Sequence, residues 1–105
     1  MDLINKIKKS ASFLEGLQTM RQLSFGLLDM FWHGKNPSKI TDVKALELEV
    51  FKETSLFPDV AENCMSTAFA HIFQGGYSSG YYSYKWAEVL DADAFEYFKE
   101  HGIFN

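Results

Sequence analysis

Cysteine, net positive charge, long apolar runs and metal-ligand pairs are all scarce or missing in this chain, and each shortage removes a class of protein. The single Cys64 cannot close an internal disulfide. That excludes a disulfide scaffold and leans towards a reducing, cytoplasmic setting. Cys64 itself reads as a small, partly buried hydrophobe. No run approaches the roughly 18 apolar residues of a membrane span, and Met1 to Ser10 is polar and lysine-rich, with no apolar signal-peptide core after it.

A formal charge of −4 and a pI near 5.2 argue against a nucleic-acid or anionic-membrane partner. The one basic cluster, Lys6, Lys8 and Lys9, reads as a solvated helix end. His33, His71 and His101 include no pair at helical i, i+4 spacing, and no cysteine pair accompanies them, so no zinc site is expected. Ser78, Ser79 and Ser83 lack an evident base and the G-x-S-x-G elbow of a serine hydrolase. Gly75 and Gly76 are not followed by the Lys-Ser/Thr of a phosphate loop.

What the chain does have is apolar and aromatic side chains. Hydrophobic residues make up 47% of 105 residues and aromatics 16%. That is more than a chain this short can cover with its own surface, so some apolar faces are expected to lie against other protein.

The apolar spacing predicts an all-α chain, a small array of four or five helices treated as a single unit, 1–105, with no repeats. A short amphipathic helix from Asp2 to about Ser10 carries Leu3, Ile4 and Ile7 on one side. A long helix follows to about His33, with Ser10 or Ser12 as its cap and Glu15 in capping-box spacing from Ser12. From Leu23 to Trp32 it is apolar on almost every side, the signature of a helix buried in something larger. Gly16 and Gly26 within it suggest close helix packing, and Arg21 and Asp29 are expected to find charged partners.

The stretch Gly34 to Ser38 breaks the helix. A third helix is expected from Thr41 to about Thr54, with Val43, Leu46 and Val50 inward and Lys44, Glu47, Glu49 and Lys52 largely outward. Pro58 marks an irregular connection, and residues 64–73 remain open between a helical turn and an extended run. A last helix is expected from about Tyr81 to His101. Tyr82, Trp86, Leu90, Ala94 and Tyr97 share the arc assigned to the core, and Tyr81, Tyr84 and Glu88 share the opposite one.

Between residues 69 and 86 the chain reads FAHIFQGGYSSGYYSYKW. Gly75, Gly76 and Gly80 keep the backbone permissive, while Tyr77, Tyr81, Tyr82 and Tyr84 bring phenols that stay protonated at neutral pH. The residues alone allow two readings. One is a glycine turn at the start of a tyrosine-rich helix, with hydroxyls in water. The other is a mobile loop of neutral donors able to clasp a carbonyl on which negative charge develops.

The run HIFQGGYSSGYYSYKWAEVLDADAF resembles the C-terminal active-site segment of the thimet oligopeptidase family of zinc metallopeptidases, in its oligopeptidase A and peptidyl-dipeptidase branch. MRQLSFGLLDMFWH and FEYFKEHGIFN extend the likeness over nearly the whole chain, although the family's zinc motif, His-Glu-x-x-His, is absent. The resemblance implies a fragment of a larger α-helical catalytic domain acting on short peptides, with zinc in the intact parent and none bound here. It implies an oxyanion donor at Tyr84, a substrate or intermediate contact at His71, and a substrate channel at Tyr77 and Tyr81 beside Gly75 and Gly76. The partners it implies are short peptides and the rest of the parent domain, with no nucleic acid or membrane and with self-association of the fragment. The competing expectation is a stand-alone helical interaction module that binds a partner helix or peptide through its aromatic face.

Overall fold

The computed structural model describes residues 2–104, and among them every regular element is helical. Six α-helical segments follow one another: α1 Asp2–Ser10, α2 Glu15–Gly34, α3 Val43–Phe51, α4 Met65–Ala68, α5 Ala70–Gln74 and α6 Ser83–His101. A 3₁₀ turn spans Pro37–Lys39. The glycine- and tyrosine-rich loop lies between α5 and α6, directly before the last helix as expected. The molecule is elongated, 55 × 28 × 21 Å along its principal axes.

Local chemistry sets the boundaries. The α1–α2 junction turns at Leu14, which adopts a left-handed backbone (φ 57°) with no side-chain cap. The Ser12 capping box therefore does not form, and the hydroxyl of Ser10 instead donates back to the carbonyl of Ile7. After Gly34 the chain extends, and the Asn36 side chain accepts the amide of Ser38 to start the 3₁₀ turn at Pro37. Asp42, rather than Thr41, caps α3 by accepting the amide of Ala45 at 2.9 Å.

The core is small and sits at one end of α2. Leu28, Val50, Phe69 and Ile72 are buried, with Phe25, Phe31, Trp32, Phe51, Met65 and Tyr81 packed around them. α3 contributes Val50, but the assignment of its faces needs correction: Val43 is 39% exposed and Glu47 only 3%. Glu47 accepts the amides of Met65 and Ser66 at 2.9 and 2.6 Å and the Ser66 hydroxyl at 2.8 Å, which caps the start of α4 from a neighbouring helix. Trp32 of α2 donates its indole N–H to the same Ser66 hydroxyl oxygen. One polar chain thus ties α2, α3 and α4 together beneath the site.

α6 overturns a second expectation. The arc assigned to the core is exposed, with Tyr82, Trp86 and Leu90 at 52%, 62% and 66%, and the opposite arc is only partly covered, with Tyr84 and Phe95 at 37% and 49%. Tyr81, placed on the opposite arc, packs against Phe25 and Phe69. Helical periodicity determines which residues share a face but not which face meets the rest of the chain. Here the apolar arc faces α2 across an open groove, and Tyr81, just before α6, takes the aromatic bed.

Candidate functional site

The site is built where α5, the glycine loop and the start of α6 meet α2. His71 lies in the first turn of α5, and Gly75 ends that helix by donating its amide to the carbonyl of His71. A Cβ on Gly75 would sit 3.0 Å from that carbonyl oxygen and 3.2 Å from the His71 Cα, so the turn has no room for a side chain. Gly76 takes φ +79°, a conformation that side chains strain to adopt. Gly80 needs neither concession. The other left-handed residue of the loop is Ser79 at φ 56°.

The loop is pinned, which qualifies the mobility expected of it. Ser79 and Tyr81 both donate their amides to the Asp29 carboxylate, each at 2.9 Å. Ser78 donates its hydroxyl to the carbonyl of Ile72, and Gly80 closes a turn onto the carbonyl of Tyr77 at 2.8 Å. Asp29 is fully buried, and its remaining partner is His33, whose Nδ1 lies 2.8 Å from its Oδ1. In place of the charged partner expected for it, Asp29 is met by two backbone amides and an imidazole. Arg21 lies 4.8 Å above the ring of Phe25.

The aromatic residues singled out from the sequence come together. His71 lies 6.0 Å from Tyr77 and 6.4 Å from Tyr81 between ring centroids. Tyr77 stacks on Tyr84 at 5.2 Å, and Tyr81 meets Tyr84 at 5.0 Å. Phe25 and Phe69 form the floor, 5.8 and 5.0 Å from Tyr81. Tyr82, the remaining loop tyrosine, points to the other side of α6, where its backbone passes Gly26 of α2 at van der Waals distance.

Two of the phenols, Tyr84 and Tyr81, are held in the neutral form. Hydrogen bonding with Tyr77 raises the pKa of Tyr84 above the ordinary value of 10.0, with loss of water and the neighbouring phenols adding to it. Burial raises Tyr81, opposed by the Arg21 cation and reinforced by Tyr77. Both groups are therefore donors throughout the neutral range. The cluster can offer several uncharged O–H donors and an imidazole to one carbonyl-bearing ligand.

Two residues important to this arrangement were not assigned to the site from the sequence, Asp29 and Glu47. Each had a legible signal: Asp29 interrupts an apolar run four residues before His33, and Glu47 shares a helical face with Val43 and Val50. Among the described residues, no group of three or more His, Cys, Asp or Glu side chains is arranged to hold a metal ion. No helix of the described residues is long and apolar enough to cross a membrane.

The model of peptidase family M3 matches residues 1–105. The chain belongs to peptidase family M3. Among M3 relatives, oligopeptidase A of Salmonella typhimurium is 40% identical over 105 residues, which is 99% of this chain and 15% of that protein. Dipeptidyl carboxypeptidase of Escherichia coli is 35% identical over 103 residues, 96% of this chain and 15% of its own length. The organellar oligopeptidase A of Arabidopsis thaliana is 40% identical over 106 residues, covering 97% and 13% respectively. The chain therefore spans about 15% of the length of the bacterial M3 relatives it matches. No solved structure matches it. M3 peptidases are zinc metallopeptidases, but the described residues do not form a site that fits that metal.

Proposed function

We propose that residues 1–105 form a single active-site segment of a larger α-helical catalytic domain that hydrolyses short peptides. In this reading Tyr84 donates its phenolic O–H to the scissile carbonyl oxygen as negative charge develops on it, and His71 supplies a second hydrogen bond beside it. Tyr77 and Tyr81 hold the peptide backbone, while Gly75 and Gly76 keep the chain bare next to Tyr77 so that a peptide can approach. The observation that carries the proposal is the convergence of His71, Tyr77, Tyr81 and Tyr84, each with its ring centroid within 6.4 Å of at least two of the others.

A second feature supports the larger domain. Leu23, Leu27 and Met30 of α2, with Tyr82 and then Trp86 and Val89 of α6, line an apolar groove of about 490 Å³. A groove of this character suits burial against neighbouring helices of the same catalytic domain. The metal that characterises the family would then be held by residues outside this chain, whose own contribution is hydrogen-bond donors and substrate positioning.

The test is a chimera in which residues 1–105 replace the matching segment of Escherichia coli oligopeptidase A, a protein 40% identical here. The chimera is expected to hydrolyse short peptides, while the 105-residue chain alone, supplied with zinc, is expected to be silent. A folded, metal-loaded chimera without activity, or metal-dependent turnover by the pure chain, would overturn the reading.

A further inference from the structure

The proposed donors stand on a turn whose position is fixed from below by one buried carboxylate. Asp29 Oδ1 accepts the amide of Ser79, and Oδ2 accepts the amide of Tyr81, both at 2.9 Å across more than 49 residues of sequence. The Nδ1 of His33 hydrogen-bonds the Asp29 carbonyl at 2.9 Å and lies 2.8 Å from Oδ1. The imidazole is in turn packed at 5.9 Å against Phe73 of α5. From the held turn the register passes directly to the donors: Ser83 bonds back to Gly80, and Tyr84 bonds back to the carbonyl of Tyr81.

A carboxylate with no exposed surface is costly to desolvate, and well-packed apolar residues often stabilise a fold as well or better. What an apolar residue cannot do is accept two backbone amides in a fixed direction. The amides also belong to an awkward place, since Ser79 carries a left-handed backbone that an unsupported serine would tend to leave.

We propose that Asp29 is a positioning residue of the peptidase site: it holds the Ser79–Tyr81 turn so that Tyr81 and Tyr84 present their phenols on the same side as His71 and Tyr77. The proposal rests on the donor role given to Tyr84 above. Asp29 touches no substrate and acts only through the turn. His33 contacts the same Oδ1 that accepts the Ser79 amide.

A double-mutant cycle in the active chimera tests it, with Asp29→Asn, Tyr84→Phe and the pair, alongside amide exchange at Ser79 and Tyr81. Asn keeps one acceptor oxygen and turns an NH₂ towards an N–H donor. Exchange at Ser79 or Tyr81 should therefore quicken, and kcat should fall about 10–100-fold, the scale of a misplaced catalytic group. In the Asp29→Asn background, Tyr84→Phe should cost less than about a tenth of what it costs alone, because the donor is already displaced. Fully additive losses, or a normal kcat with both amides deprotected, would overturn the positioning role while leaving the Tyr84 reading intact. Near-normal kcat for Tyr84→Phe alone would instead overturn that reading and this proposal with it.

Should Asp29→Asn fail to fold, replacing Tyr81 by its α-hydroxy acid removes a single amide N–H and leaves the carboxylate in place. The same coupling to Tyr84→Phe is expected from that ester variant, and its absence would count as refutation.

Discussion

Glu47 of α3 holds Ser66 of α4 by two bonds at once, accepting the backbone amide at 2.6 Å and the hydroxyl at 2.8 Å. Met65 adds a second amide, so a single buried carboxylate satisfies the N-terminus of a four-residue helix that has no cap of its own. Burial alone would raise the pKa of Glu47. The amides of Ser66 and Met65, the Ser66 hydroxyl and the Lys44 cation outweigh it, and the pKa falls below the usual 4.5.

Stability should therefore depend on this group in a defined direction. The contribution is complete above the ordinary value of 4.5 and is lost as the pH falls from there through the lower folded value. Glu47→Ala should cost about 3 kcal/mol at neutral pH, on the scale of stranding buried partners of a charged group. It should also flatten the acid limb of Tm against pH. Calorimetry of both proteins between neutral pH and the acid transition checks this. Parallel acid limbs would remove Glu47 from the explanation.

The loop glycines should respond unequally to alanine. Gly76→Ala forces a side chain into φ +79°, and Gly75→Ala puts a methyl 3.0 Å from the His71 carbonyl. Each should lose about 1–2 kcal/mol and disturb the Tyr77–Tyr84 stacking. At Gly80 the nearest contact is an ordinary 3.5 Å, so Gly80→Ala should be close to neutral. Denaturant melts of the three variants decide the matter, and equal losses at all three positions would contradict the turn geometry.

The groove between α2 and α6 should make the isolated chain adhesive. Leu27 and Trp86 are 45% and 62% exposed on its two walls. The chain is expected to bind a hydrophobic dye and to self-associate with rising concentration. Leu27→Lys and Trp86→Lys should each reduce both signals. A monomeric, dye-silent chain at high concentration would mean that the groove is closed in solution.

The helices were legible from the sequence because their apolar spacing is strong. α1 ends at Ser10 as expected, and α6 begins only two residues after the expected Tyr81. The meeting of His71 with the loop tyrosines was also legible, since short glycine turns leave few ways to separate residues so near in sequence. What escaped was direction. Glu47 was placed outward by its charge, although it lies on the arc of Val43 and Val50. The apolar arc of α6, expected to be packed, stays exposed along an open groove with α2. Both errors share a physical origin: a long-range partner, Ser66 for Glu47 and the Phe25–Phe69 bed for Tyr81, overrides the preference a residue shows alone.

Whether Tyr84 donates to the reacting carbonyl is read from kcat of Tyr84→Phe in the active chimera. Phenylalanine keeps the ring that stacks on Tyr77 and removes only the O–H. A donor whose bond strengthens as charge develops acts mainly on the chemical step, so kcat should fall about 10²–10³-fold. KM should change far less, whereas Tyr81→Phe should place more of its loss in KM. A Tyr84→Phe enzyme that turns over at nearly the parental kcat would contradict the donor role and leave Tyr84 as a packing residue.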